Sequence, residues 1–185
     1  MVAEHDRSNR IAGVPVFAVD VNPDQTWASI AVAGKRADGL HQCAVVAHER
    51  GTGWLIDMCV RLKKAHHGAK FVVDKDGPAA EKISELKAAR VRVIEATSED
   101  YKRASGGLVS AVNERRLRYP YPQPELDEAL AGARKNAPGD AWKWSRKNST
   151  SADISPLVAC TLAHWASETG KPRARVINPN ELVRT

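Results

Sequence analysis

Val16-Phe17-Ala18-Val19-Asp20-Val21-Asn22-Pro23-Asp24 is an apolar, β-branched run that carries one acid inside it and stops on a turn signal. It reads as a strand with Asp20 near its carboxyl end. Two more strand-like runs follow: Trp27-Ala28-Ser29-Ile30-Ala31-Val32-Ala33, closed by Gly34, and His41 to Glu49, after a polar turn from Lys35 to Gly39. Three strands joined by short turns form an antiparallel meander. Before the first strand, Met1 to Gly13 carry little hydrophobic pattern and read as a tail or linker remnant, so the fold is expected to start at Val14.

The period then changes. Trp54, Leu55, Met58, Leu62 and Ala65 recur at helical spacing, and Gly68 ends that helix. Phe71-Val72-Val73-Asp74 is almost wholly apolar, as expected of a strand buried on both faces. Gly77-Pro78 opens a helix with Ala79, Ile83 and Leu86 inward, and Val91-Arg92-Val93-Ile94 is a fifth strand. Ser98 is the expected cap of a helix carrying Tyr101, Ala104, Leu108, Ala111 and Val112 on one face. Past the proline-broken stretch Tyr119 to Pro124, Glu125 to Lys135 reads as a short helix and Ala141 to Ser145 as a strand. A last helix, from about Asp153 or Ile154 to Glu168, is ended by Gly170 and Pro172.

A β-β-β-α-β-α-β-α order limits the topologies. The right-handed crossover rule places strand 4 parallel beside strand 1, with strand 5 beyond it. The result is an α/β fold with a mixed five-stranded sheet of order 3-2-1-4-5, strand 2 antiparallel, and helices on both faces: the ribonuclease-H-like arrangement. The alternative adds strand 4 beside strand 3, from the same residue pattern.

The 185 residues suit one domain with a real core. A hydrophobic share of 43% and a charged share of 27% argue against disorder. No run nears the ~18 apolar residues of a membrane helix, and the polar N-terminus is no signal peptide. The net charge of +6 is compatible with a polyanionic partner. Cys43, Cys59 and Cys160 are odd in number, widely spaced and set among apolar neighbours, which argues against a disulfide framework or zinc knuckle and for a reducing compartment.

In the 3-2-1-4-5 order, Asp20 and Asp74 end parallel neighbours ~4.8 Å apart, in the crevice where open α/β sheets bind ligands. Two carboxylates there repel unless a cation sits between them, and oxygen-only ligands suit Mg²⁺ or Mn²⁺ rather than zinc. Asp153, at the start of the last helix, can be carried over the same crevice. Taken singly, Asp20 and Asp74 are equally turn formers and Asp153 an N-cap; the fold order raises all three together. Asp76 is a possible accessory ligand, Asp24 a turn residue and Glu49 a solvated rim. The histidines read as bystanders, with His164 the exception. From Arg134 to Lys147, five cations face one acid, and Trp142 and Trp144 interleave with them. That alternation suggests a strand with a buried aromatic face and a wet cationic one, with Lys143, Arg146 and Lys147 as phosphate contacts.

Five segments in order, residues 17–24, 49–54, 72–79, 142–146 and 153–159, resemble the C-terminal nuclease domain of the large terminase subunit of tailed bacteriophages. The resemblance spans nearly the whole chain after residue 14. It implies a metal-dependent endonuclease that cuts concatemeric double-stranded viral DNA with two divalent cations, Mg²⁺ or Mn²⁺. Asp20, Asp74 and Asp153 would be the metal-binding acids, Asp20 bridging. Asp76 departs from the pattern, since a variable residue is expected before Gly77-Pro78. The resemblance further implies a terminase ATPase domain, a small terminase subunit and a portal as partners, and the cytoplasm of an infected bacterial host as location. No Gly-x-x-x-x-Gly-Lys-[Ser/Thr] loop occurs here, so the chain is expected to be an excised domain or fragment. Residues 1–13 would then be a linker remnant, 14–170 the nuclease domain and 171–185 a basic tail. The rival readings are a non-catalytic DNA-binding or docking module and a resolvase-like nuclease of the same fold.

Overall fold

The computed structural model describes residues 10–136, 141–149 and 153–169; the expected N-terminal tail up to residue 9 and the basic tail 171–185 lie outside the described residues. Strands β1 (Val16–Val21), β2 (Trp27–Lys35) and β3 (His41–Arg50) form the meander. Helix α1 (Leu55–Ala65) leads to β4 (Lys70–Asp74), a 3-10 turn (Pro78–Glu81), α2 (Lys82–Ala88) and β5 (Val93–Ala96). Helix α3 (Ser98–Asn113), β6 (Leu117–Arg118) and α4 (Pro124–Gly132) follow. The two-residue strands β7 (Lys135–Asn136) and β8 (Lys143–Trp144) pair antiparallel, and α5 (Ser155–Thr169) is the last element.

The main sheet runs β5-β4-β1-β2-β3-β6, with β2 antiparallel to its neighbours. The crossover placement is as expected: β4 pairs parallel with β1, Val19 opposite Val73. The five-strand expectation needs one addition. β6 joins the far edge, parallel to β3 through His41 and Gln42. Residues 10–13, expected in the tail, are also partly engaged, since Ile11 bridges to Arg36.

Alternation splits the strands between two cores. Phe17, Val19, Ile30, Phe71 and Val73 face α1 and α2, where the Phe17 and Phe71 rings stack 5.1 Å apart. Ala18, Ala31, Ala33, Cys43 and Val72 face α3, α4 and α5. Small side chains on that second face let α5 lie close across β1, β2 and β3. Helix α5 is buried around nearly its whole circumference, as its almost continuous apolar sequence requires. Helix α3 is capped by Thr97 rather than by Ser98: Thr97 and Asp100 exchange the reciprocal bonds of a capping box.

Strand β3 carries a bulge that decides what its far end can do. Ala31 opposes Val45 and Ile30 opposes Ala47, so Val46 is the extra residue. Before it, His41, Cys43 and Val45 point to the α5 face; after it, His48 does, opposite Ser29. One inserted residue thus brings to the α5 side a histidine that strict alternation would have turned away.

Candidate metal and catalytic site

Asp20 and Asp74 lie on the α5 face at the carboxyl ends of β1 and β4, both fully buried. Burial is possible because the next turn packs onto them. A Cβ on Gly77 would stand 2.6 Å from Asp74 Oδ2, so only glycine fits there, and the Asp76 backbone N–H donates to Asp74 Oδ1 at 3.1 Å.

The positive charge that two buried carboxylates demand comes from Arg146, just beyond β8. Its Nη2 donates to Asp20 Oδ1 at 2.6 Å and its Nε to Asp20 Oδ2 at 3.2 Å, a two-point fork. Nη1 and Nη2 both reach Asp74 Oδ2 at 3.4 Å, and the guanidinium lies 5.3 Å from the Tyr101 ring centroid. Arg146, expected to contact phosphate, is therefore also the cation between the two acids. The donor set is carboxylate oxygen, which suits hard cations, and the pair already holds one positive group between its members.

Burial dominates the titration of Asp20. It pushes the carboxyl up to about 6; Arg146 opposes the shift, while Asp74 and Asp153 add to it. With the folded pKa above its ordinary value of 3.8, Asp20 supports stability while protonated and loses that support as pH rises through about 6. Metal-free protein is thus expected to lose up to about 3 kcal/mol between pH 4 and 7 through this group, and Asp20→Asn to abolish that part of the slope. Melting curves in EDTA across this range check it; an unaltered slope in the variant refutes the assignment.

Asp153 reaches the site through hydroxyls. Its Oδ1 accepts from the Ser155 backbone N–H at 2.7 Å, and its Oδ2 accepts the Ser155 hydroxyl at 2.8 Å. An ionised carboxylate only accepts, so the Ser155 hydroxyl must accept from Ser29, 2.7 Å away. Ser29 has then spent its proton and accepts from His48 Nδ1 at 2.9 Å. The chain runs one way, His48 to Ser29 to Ser155 to Asp153, and assigns the proton to Nδ1 of His48, which stacks on Trp27 at 4.8 Å. Ser29 is the cross-strand partner of Asp20, so Asp153 is tied to the same corner of the sheet.

The other expected residues divide. Asp76 is exposed, and its Oδ2 accepts from the Ser98 backbone N–H at 3.1 Å, at the start of α3. Asp24 and Glu49 are exposed. Lys143 is half-buried: it donates to Ser98 Oγ at 3.0 Å and lies 5.5 Å from the Tyr101 centroid. Lys147 is exposed. Trp142 and Trp144 meet edge to face at 4.8 Å, and the Trp144 indole N–H donates to Thr161 Oγ1 at 3.0 Å, so they anchor the β7–β8 ribbon on α5. Sequence reasoning missed Arg146 as the partner of the acids, and missed His48.

No family model and no curated protein matches the sequence. Solved structures do match in fold. The large terminase of bacteriophage HK97 superposes with a TM-score of 0.66 at 12% identity, covering 86% of this chain and 41% of that one. The magnesium-bound large terminase nuclease of thermophilic phage G20c gives 0.60 at 16% identity over 86% of this chain and 84% of that one. The large terminase nuclease domain of Thermus phage P74-26 gives 0.56 at 17% identity over 92% and 90%. The chain thus spans less than half of the HK97 protein but nearly all of the isolated nuclease domains, and it has their fold.

Proposed function

We propose that residues 14–170 form the metal-dependent nuclease domain of a viral genome-packaging terminase, cutting concatemeric double-stranded DNA. The observation that carries this reading is the pair of fully buried carboxylates, Asp20 and Asp74, on adjacent parallel strand ends of this fold, held by a cationic group between them. Magnesium in the G20c nuclease and manganese in the nuclease domain of the phage Sf6 large terminase support a divalent cation in the same role.

Asp20, Asp74 and Asp153 would hold two cations, Mg²⁺ or Mn²⁺. When bound, such a pair supplies an activated water and a stabilised leaving oxygen for in-line phosphodiester hydrolysis. The chain's own residues do the rest. Asp20 and Asp74, which Arg146 now holds, would turn their oxygens to the cations, and the guanidinium would then be available to a DNA phosphate. Ser155 holds both oxygens of Asp153, and the His48–Ser29 relay fixes the hydroxyl that does so. Lys143 and Lys147, flanking Arg146, grip the backbone without reading bases. An ATPase domain, a small terminase subunit and a portal are the partners of such a domain, and the infected bacterial cytoplasm its place of work. Among the described residues no helix is long and apolar enough to cross a membrane.

Supercoiled plasmid incubated with Mg²⁺, Mn²⁺ or EDTA tests the proposal. Nicking and linearisation with either cation and none in EDTA is expected; cleavage in EDTA sinks it. DNA binding with no cleavage under any cation would instead make this a docking module. The DNA path has its own test. Lys143→Ala with Lys147→Ala is expected to weaken binding evenly across sequences and to flatten the dependence of log affinity on log salt by about 0.9 per lost contact. An unchanged slope in folded protein moves the path elsewhere.

A further inference from the structure

Far from the acids, the opposite ends of β3 and α5 bring together three side chains that nuclease chemistry does not use. His41 opens β3, while His164 and Glu168 lie one turn apart near the end of α5. From Ser155 to His164, α5 rises about 13 Å, so this cluster is separate from the carboxylate site. His164 is fully buried, and neither of its ring nitrogens has a hydrogen-bond partner; Nδ1 of His41 is likewise buried without one. Orphaned ring nitrogens of this kind cost free energy and call for a partner, either water or an ion.

We propose that His41, His164 and Glu168 form a binding site for a zinc-like divalent cation, which clips the β3 edge of the sheet to the end of α5. Nε2 of His41 lies 3.9 Å and Nε2 of His164 3.8 Å from Glu168 Oε1, and one ligand atom from each of the three falls within 4.8 Å of the others. Tetrahedral ligands at about 2.0–2.1 Å from zinc stand about 3.3–3.4 Å apart, so modest side-chain rotations close the set. Two imidazoles and one carboxylate select borderline cations such as Zn²⁺ over Mg²⁺. Burial lowers the pKa of both rings, that of His164 to about 4, which favours the neutral imidazole that a metal needs. A hydrogen bond to Cys43 and burial raise the pKa of the nearby Cys160 thiol, which leaves nitrogen and oxygen as the donors. Glu168 is one-third exposed and gives the ion a way in. Its present partner, the Arg116 Nη1 at 3.3 Å, also pairs through Nε with Glu114, so that guanidinium keeps a carboxylate when Glu168 turns to the metal.

The test uses the full chain carrying Asp20→Asn, which weakens the competing carboxylate site and leaves Arg146 its Asp74 partner. Calorimetric Zn²⁺ titration is expected to show a single site, undisturbed by excess Mg²⁺, and Co²⁺ in its place to give the intense visible bands of a tetrahedral site. In the same background, Glu168→Gln and His41→Ala are each expected to weaken zinc binding by at least the ~10–100-fold that loss of even an outer-shell partner costs. The zinc-induced rise in melting temperature should vanish with it. Glu168 is accessible to solvent, so its variant reports even where a change at buried His164 disturbs folding. Absence of zinc binding by the folded chain, or binding left intact in both variants, overturns the site and assigns the orphaned nitrogens to water. Neither result depends on whether the protein cuts DNA.

Discussion

Asp20→Asn and Asp74→Asn are each expected to lower cation-dependent DNA cleavage about a thousandfold, while Asp76→Asn leaves it within a few-fold of the parent. Cation stabilisation of a phosphodiester transition state is worth several kcal/mol, and each 1.4 kcal/mol is a factor of ten, so losing one of the carboxylates that hold the pair removes about three decades. An amide oxygen keeps the size and hydrogen-bonding reach of the carboxylate but not its charge. The effect should therefore fall on cation affinity and rate rather than on folding. Burial favours the neutral form of Asp20, so Asn at that position is expected to leave the metal-free fold intact at pH 7. Asp76 provides the contrast within the same loop. Its carboxylate accepts a backbone N–H at the start of α3, a bond that asparagine can also accept. Plasmid cleavage in Mn²⁺, with folding checked by circular dichroism, reads all three. Loss in Asp76→Asn with full activity in Asp74→Asn would reverse the assignment of the two acids.

What the sequence made legible is the part of the fold that local pattern and chain topology decide. Asp20 and Asp74 each end an apolar run, and the crossover rule sets those runs side by side. Elements too short to show a period were invisible: Leu117–Arg118 is a strand only because β3 offers it an edge. The cap of α3 was readable and misread. Thr97 stands three residues before Asp100, which is the capping-box spacing, whereas three residues after Ser98 comes Tyr101. His48 was hidden for a different reason. Alternation along β3 predicts one face from His41 onward, and no residue type announces the bulge at Val46 that changes it. The long basic segment between Arg134 and Lys147 advertised charge but not its target. Arg146 lies 126 positions from Asp20 and 72 from Asp74, and only the packing of β8 on α3 brings it over the acids.

That placement gives Arg146 two roles that a single variant separates. In metal-free protein, Arg146→Ala leaves Asp20 and Asp74 buried together without a countercharge. Breaking a buried ion pair from one side costs about 3–5 kcal/mol, a drop in melting temperature on the order of 10 °C for a chain of this size. Arg146→Lys keeps the charge but not the two-point fork onto Asp20, so it should fall between the parent and the alanine variant. A divalent cation changes the comparison. It binds the same carboxylates and must displace the guanidinium in the parent, whereas in Arg146→Ala nothing stands in its way. The alanine variant is therefore expected to bind Mg²⁺ or Mn²⁺ more tightly than the parent and to recover most of its lost stability when the cation is added, since a ligand at free concentration L that binds only the folded state stabilises it by RT ln(1 + L/Kd), which grows as Kd falls. Thermal melts in EDTA and in millimolar Mn²⁺, with calorimetric cation titrations of parent, Arg146→Ala and Arg146→Lys, measure both effects. Equal melting temperatures in EDTA would mean that the acids do not need this arginine. A deficit that Mn²⁺ fails to repair would mean that cation and guanidinium do not share a site.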